Sequence, residues 1–158
     1  CEGALQLAME QTDCTIQGAH VLVIGAGRIG FLLAVRLHAL GAQVTVAARS
    51  LRDRARIESA GLAAVDTAQL AQEVHGREII FNTVPAPLLT GEILRALTPA
   101  CIVIDLASMP GGVASDADPP TGCRVIHALS LPGKVAPRTA AVAIYATVTA
   151  ILREEGVL

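Results

Sequence analysis

Residues 19–30, AHVLVIGAGRIG, carry an apolar run straight into glycines at positions 25, 27 and 30. That arrangement restricts the chain more than anything else in it. Gly25 suits a tight turn at a strand end. Gly27 lets backbone approach a pyrophosphate, and Gly30 lets the next helix pack close to the sheet. Arg28 and Ile29 fall in the first helical turn, whose N–H groups lack intrahelical partners and favour an anion. Both flanks agree with a strand–turn–helix unit. Val21-Leu22-Val23-Ile24 is a buried-strand run. Phe31, Leu32, Val35, Leu37 and Leu40 recur at helical spacing before Gly41. The turn reads as a dinucleotide-binding turn.

A chain of 158 residues, 53% hydrophobic and 16% charged, is a single globular domain with a proper core. Trp is absent and Phe31, Phe81 and Tyr145 are the only aromatics, so Val, Ile, Leu and Ala must fill that core. A parallel sheet buried on both faces has that composition. The net charge of −2 offers no basic excess for nucleic acid or an anionic membrane. Cys1, Cys14, Cys101 and Cys123 show no metal-ligand spacing, and no metal is expected. Reduced thiols and the lack of a signal peptide point to the cytoplasm. Thr139–Leu152 is uncharged but too short to span a bilayer, and is expected to be a buried helix. The chain opens at Cys1 and runs directly into a helical segment. We therefore expect residues 1–158 to be the dinucleotide-binding part of a longer protein, with an N-terminal substrate domain before it.

Strand and helix signals alternate to the end. A lead-in helix is predicted from Glu2 to about residue 12, with Leu5, Ala8 and Met9 on one face. Strands are predicted at 19–24, 43–47, 62–65, 78–82, 101–106 and 124–128. Helices are predicted at 28–40, 51–60, 66–74, 88–97 and 138–154, with loops over 108–122 and 130–137. Six strands joined by crossover helices imply a doubly wound α/β fold, Rossmann-like, with a parallel sheet in the order 3-2-1-4-5-6.

The end of the second strand separates the cofactors. NAD-binding units place Asp or Glu there, to accept from the ribose 2′-OH. Here Ala48 takes that position and Arg49-Ser50 follow. An arginine pairs with a 2′-phosphate and a serine hydroxyl donates to it, with Arg52 as a second cation. NADP is therefore the expected cofactor. Arg54 and Arg56 read as a solvated helix face.

Ligands of such sheets bind outside the carboxyl ends of the strands. Asn82, Thr83 and Pro85 follow the fourth strand, where Asn82 and Thr83 are candidates to touch the cofactor or simply to turn the chain. Asp105 closes the fifth strand inside an apolar run, and a carboxylate there needs partners. It either anchors the loop through backbone N–H groups or faces substrate. Gly111-Gly112 permit close backbone approach to a ligand. His127, at the end of the sixth strand, is an acid/base candidate or a satisfied polar group. Lys134 is a candidate to orient a carboxylate or the nicotinamide amide. His20, His38 and His75 read as surface residues.

Two of these loops carry a narrower signal. VIDLASMPGG (103–112), LPGKVAPRTAA (131–141), NTVPAPLLT (82–90) and the lead-in from Glu2 to Gly30 resemble the C-terminal domain of the dipicolinate synthase A-subunit family. The resemblance implies oxidation of a dihydrodipicolinate-type intermediate to pyridine-2,6-dicarboxylate, with NADP accepting hydride. It also implies a link to sporulation, a small dicarboxylate substrate, a preceding N-terminal domain, and partnership with a flavoprotein-like B subunit. Two alternatives stand beside it. One is another two-domain NADP enzyme, shikimate-dehydrogenase-like or 2-hydroxyacid-dehydrogenase-like. The other is a non-enzymatic nucleotide-sensing module of the kind that gates potassium channels, although such modules usually keep the acidic residue that Ala48 replaces here.

Overall fold

The computed structural model describes residues 1–115 and 118–157, so part of the predicted 108–122 loop lies outside the described residues. The strands are β1 (His20–Ile24), β2 (Gln43–Ala47), β3 (Ala63–Val65), β4 (Ile79–Asn82), β5 (Ile102–Asp105) and β6 (Arg124–His127). They form one six-stranded sheet in the order β3-β2-β1-β4-β5-β6, and every pairing is parallel. The strand order expected from the sequence is therefore correct.

The sheet is buried on both faces because β1 is apolar without alternation. Val21 and Val23 pack on one side with Leu33, Leu37, Val46, Phe81 and Ile104. Leu22 and Ile24 point the other way, into a second cluster with Leu70, Ile80, Leu94 and Val103. Helices cover the two faces: α1 (Glu2–Gln11), α2 (Arg28–Ala39), α3 (Leu51–Ser59), α4 (Leu70–Glu73), α5 (Gly91–Arg95) and α6 (Leu131–Val135). The chain closes with α7 (Pro137–Glu154). The order of strands along the sheet switches direction between β1 and β4. The crevice at the carboxyl ends there is where a ligand of such a sheet sits.

Several local expectations need correction. The buried stripe of α2 is Gly30, Leu33, Ala34 and Leu37, whereas Leu32, Val35 and Leu40 face outward. Met9 is likewise exposed, and α1 buries Gly3, Ala4 and Ala8 instead. The predicted helix 88–97 shrinks to α5. Leu89 is taken by a backbone bridge to Val113, and the Thr90 side chain then accepts from Ile93 N–H as the cap. The segment 130–137 is not wholly a loop. It contains α6, whose Leu131 and Val135 lie one turn apart and meet Gly3 of α1. The largest departure is α7. It is helical as expected, yet none of its residues is buried. Among the described residues only the short helix α6 packs substantially against it.

Among the described residues no helix is long and apolar enough to cross a membrane, and no cluster of three or more His, Cys, Asp or Glu stands ready for a metal. His20, His38 and His75 are exposed, as the sequence suggested.

Candidate functional site

The glycine turn leaves β1 at its carboxyl end. Gly25 adopts φ +100°, and a Cβ there would stand 2.5 Å from Thr83 Oγ1. A Cβ on Gly30 would collide with the Gly25 carbonyl oxygen. Both glycines are thus demanded by packing within the chain. Gly27 differs. It is the N-cap of α2, and a Cβ added to it meets no heavy atom within 4 Å. Its backbone, with the exposed Arg28 and Ile29, looks outward over the first-turn N–H groups of α2. Thr83 locks the turn from below, its N–H and its Oγ1 each lying 2.9 Å from the Ile24 carbonyl oxygen. Pro85 is exposed on the loop above.

A cavity lies on each side of this turn. One, of about 320 Å³, is bounded by Gly25, Ala26, Ala48, Arg49, Ser50 and Asp53. The other, of about 420 Å³, is bounded by Ile29, Leu106, Ser108, Met109, Leu129 and Pro132, with Cys1 at its edge. Two separate pockets on either side of a helix N-terminus that is open at Gly27 suit an elongated ligand with an anionic centre. A dinucleotide has that form, so the residues present fit NAD(P). A larger cavity, about 470 Å³, opens at the opposite edge of the sheet near Gln11, Arg77 and Arg124, away from the glycine turn.

On the β2 side, Arg49 and Arg52 are exposed, and neither guanidinium has a partner among the described residues. Ser50 is more committed. Its Oγ accepts from Asp53 N–H at 3.0 Å to cap α3 and donates to Asp53 Oδ2 at 2.7 Å. Asp53 was not singled out from sequence, although Ser50-Leu51-Arg52-Asp53 has the spacing of a capping box. Its carboxylate borders the same cavity as Arg49. The expectation of a solvated face fails for Arg54, whose side chain is largely buried, and holds in part for Arg56, which is half exposed yet partnered. Arg54 donates to the carbonyls of Ala48 and Arg49 and to Asp66 Oδ2 at 2.6 Å, so it braces the strand end that presents Arg49. Arg56 donates to the Ala26 carbonyl in the glycine turn and lies 4.5 Å over the Phe31 ring. The Ala68 N–H, with Arg54 beside it, holds the Asp66 carboxyl below the usual carboxylate range.

On the β5 side the polar residues form one buried lattice. Asp105 is 1% exposed. Its Oδ1 accepts from Asn82 Nδ2 at 2.8 Å and Ala107 N–H at 3.1 Å, and its Oδ2 accepts from Gly112 N–H at 2.8 Å. Asn82 is fully buried and also donates to the Val84 carbonyl while accepting from Val84 N–H. The structure thus places Asn82 and Asp105 beneath the loops they shape. Gly111 and Gly112 approach this lattice. A Cβ on Gly112 would collide with the Asn82 amide, and one on Gly111 would come within 2.9 Å of Asp105 Oδ2. Their close approach is to protein, which departs from the ligand contact expected of them. Leu89 N–H donates to the Gly112 carbonyl at 2.9 Å and ties the loops after β4 and β5 together.

His127 pairs in register with Asp105 on the neighbouring strand. Its Nδ1 stands 3.5 Å from Asp105 Oδ2, and its side chain is 58% exposed. The buried carboxylate therefore turns the ring while its far edge reaches solvent at the carboxyl end of the sheet. Lys134 is exposed on α6, one turn beyond the residues that border the larger of the two turn-side cavities. The structure brings Gly25, Gly27, Arg28, Ile29, Gly30 and Thr83 into one turn, Arg49, Ser50 and Arg52 to one side of it, and Asp105 with His127 to the other.

Comparison with known proteins agrees with this geometry. Residues 8–154 match the family described as alanine dehydrogenase/PNT, C-terminal domain. The A subunit of dipicolinate synthase from Bacillus subtilis (strain 168) is 42% identical over 139 residues, which is 88% of this chain and 47% of that protein. The crystal structure of the same synthase component from Bacillus subtilis superposes with TM-score 0.92 at 39% identity, covering 97% of this chain and 51% of that one. Its counterpart from Bacillus halodurans gives 0.91 at 37%, covering 96% and 52%. A transhydrogenase from Sinorhizobium meliloti shares the fold at TM-score 0.75 and 24% identity, covering 85% of this chain and 47% of that one. The chain spans about half the length of the relatives it matches. The resemblance read in the loops 82–90, 103–112 and 131–141 is thus supported along nearly the whole chain. With its glycine turn and flanking cavities, this is an NAD(P)-binding domain of oxidoreductase type, and the chain belongs to the alanine dehydrogenase/PNT C-terminal domain family.

Proposed function

We propose that this chain is the NADP-binding half of a dipicolinate-synthase-type oxidoreductase. The observation that carries the reading is the pair of cavities flanking Gly27, one of them edged by Arg49, in a chain whose loops match that synthase. Gly25, Gly27, Arg28, Ile29 and Gly30 would hold the pyrophosphate, with Thr83 and Pro85 framing the turn. Arg49 and Arg52 would meet the 2′-phosphate. Ser50 would border it, though its hydroxyl proton already serves Asp53. When bound, the nicotinamide supplies a hydride acceptor.

The substrate in this reading is a small dicarboxylate, a dihydropyridine ring flanked by two carboxylates. Loss of hydride and a proton makes that ring aromatic. Lys134, a compact cation on a short helix, would orient one carboxylate. His127, turned by Asp105, would take the ring proton to solvent. Asn82 and Asp105 shape the loops that bear these groups. A flavoprotein-like second subunit is the expected partner, in the cytoplasm of a sporulating cell.

Cofactor choice is tested by calorimetry. NADPH should bind more tightly than NADH. Arg49→Ala should weaken NADPH about ten-fold, the loss of one charge-assisted pair worth roughly 1.5–3 kcal/mol, and leave NADH nearly unchanged. Equal affinities in the unmutated chain would refute the assignment. The reaction is tested with the complete two-subunit enzyme, which should convert dihydrodipicolinate to dipicolinate with stoichiometric NADPH formation. Lys134→Ala should lower turnover or raise the apparent substrate constant without altering NADPH affinity. A preparation that binds NADPH yet is inert toward dihydrodipicolinate would bring the shikimate-dehydrogenase-like alternative to the front.

A further inference from the structure

The carbonyls of the glycine turn, from Ile24 to Gly27, are all taken up by protein, but the Ala26 oxygen is held by a distant side chain alone. The Ile24 oxygen accepts from Thr83 N–H and Oγ1. The Gly25 oxygen is packed against Gly30. The Gly27 oxygen accepts from Phe31 N–H at 3.0 Å, the first bond of α2. Among the described residues the partner of the Ala26 oxygen is the Arg56 guanidinium, which reaches it from α3. Arg56 is itself well placed. Its guanidinium lies 4.5 Å over the Phe31 ring, and Asp53 Oδ1 stands 3.9 Å away on the preceding turn.

A trans peptide points its C=O and N–H in opposite directions. With the Ala26 oxygen turned to Arg56, the Gly27 N–H points away from α3. That N–H has no acceptor among the described residues, and the space a Cβ on Gly27 would enter is open. No other hydrogen bond among the described residues fixes this peptide. Gly27 sits at φ −69°. Glycine takes positive φ about as readily. Turning the 26–27 peptide over therefore needs only ψ of Ala26 and φ of Gly27 to change, the interchange that relates type I and type II turns. The overturned peptide would offer a carbonyl oxygen where the N–H now points. To an anion at the start of α2, that replaces a donor by a repelling dipole.

We propose that Arg56 is the positioning residue of the pyrophosphate site: by holding the Ala26 oxygen it keeps the Gly27 N–H turned to the ligand. This role rests on the reading of the glycine turn as the dinucleotide site. Arg56 acts through the peptide and touches no ligand. Its duty differs from that of Arg49. The pyrophosphate is common to NADH and NADPH, so Arg56 sets the affinity for both, whereas Arg49 separates them. Phe31 serves as the shelf that keeps the guanidinium under the turn.

The test uses the complete natural polypeptide and two readouts. Isotope labels on the alanine carbonyl and the glycine amide pick out Ala–Gly bonds, of which this chain has two, 26–27 and 60–61. In the ligand-free protein, Arg56→Ala should change the residual dipolar coupling of the Gly27 N–H and shift the Ala26 carbonyl resonance. Those of Ala60–Gly61, at the end of α3, should stay as in the parent. By calorimetry the same variant should bind NADPH and NADH more weakly by one common factor, about ten-fold or more, with their ratio unchanged. Arg56→Lys should restore the coupling and most of the affinity, because an ammonium still donates to the carbonyl. Phe31→Leu keeps the arginine and removes its shelf, so it should move both readouts the same way by less, and it serves if Arg56→Ala does not fold. Parent-like affinity for both dinucleotides in Arg56→Ala overturns the proposal. A loss confined to NADPH does so too, since it makes Arg56 a 2′-phosphate ligand. Weaker binding with an unmoved Gly27 coupling also overturns it, because the charge then acts through space. A parent that binds neither dinucleotide refutes the cofactor reading, while the coupling, read without ligand, still decides whether Arg56 holds the peptide.

Discussion

Gly27→Val is expected to abolish NADPH and NADH binding while leaving the fold in place. The three glycines of the turn look alike in sequence, but they are under different constraints. Side chains at Gly25 and Gly30 would strike Thr83 and the Gly25 carbonyl, so substitution there damages the protein before any ligand is considered. A side chain at Gly27 strikes no protein atom within 4 Å. It would project where an anion must come to reach the first-turn amides of α2. Valine is a poor N-cap compared with glycine, which costs the helix about 1 kcal/mol at most. Affinity for either dinucleotide should fall by at least a hundred-fold, about 2.7 kcal/mol. Isothermal titration, alongside a thermal melt within a few degrees of the parent, checks both halves of the claim. A Gly27→Val protein that still binds NADPH normally would remove the turn from the site.

What the sequence reveals of this fold depends on how local each cause is. β1 and its turn are readable because a buried parallel strand is apolar at every position and the turn needs glycine at fixed intervals. The order of the sheet follows from the right-handedness of the crossovers. The buried face of α2 is not readable in the same way, because Leu32, Val35 and Leu40 are as apolar as Leu33 and Leu37. Periodicity alone does not choose between two apolar stripes. Arg54 and Arg56 carry no local mark that separates them from surface arginines. Their partners, Asp66 and the Ala26 carbonyl, lie 12 and 30 residues away in the chain. Likewise the glycine pair at 111–112 announces close approach but not its object, and that object is the side chains of Asn82 and Asp105. The exposure of α7 is invisible for a simpler reason: an apolar helix reads the same in sequence whether its domain covers it or leaves it open.

Asp105→Ala should be the most destabilising single change at the carboxyl edge of the sheet. The carboxylate is the shared acceptor for Asn82 Nδ2 and the N–H groups of Ala107 and Gly112, and the burial of Asp105 and Asn82 is complete or nearly so. Removing it strands the buried N–H groups of Ala107 and Gly112 and leaves Asn82 Nδ2 with the Val84 carbonyl alone, each unsatisfied N–H costing about 1–3 kcal/mol, with some relief as water enters. A net loss of about 3–5 kcal/mol is expected, as for breaking other buried charged networks. The urea midpoint should fall while the slope holds. Asp105→Asn keeps one acceptor oxygen but turns an amide toward a donor it used to accept, so its loss should be smaller yet clear. His127→Ala should cost less than about 0.5 kcal/mol, because the ring is largely in solvent and merely leans on the carboxylate. The contrast separates two roles that adjacent strand ends assign to adjacent residues. Asp105 holds the loops after β4 and β5 in place, and His127 is carried on that support toward the ligand edge. An Asp105→Ala protein as stable as the parent would mean that the loops are held by the Leu89–Gly112 backbone link alone. The orientation of His127 would then have no structural basis.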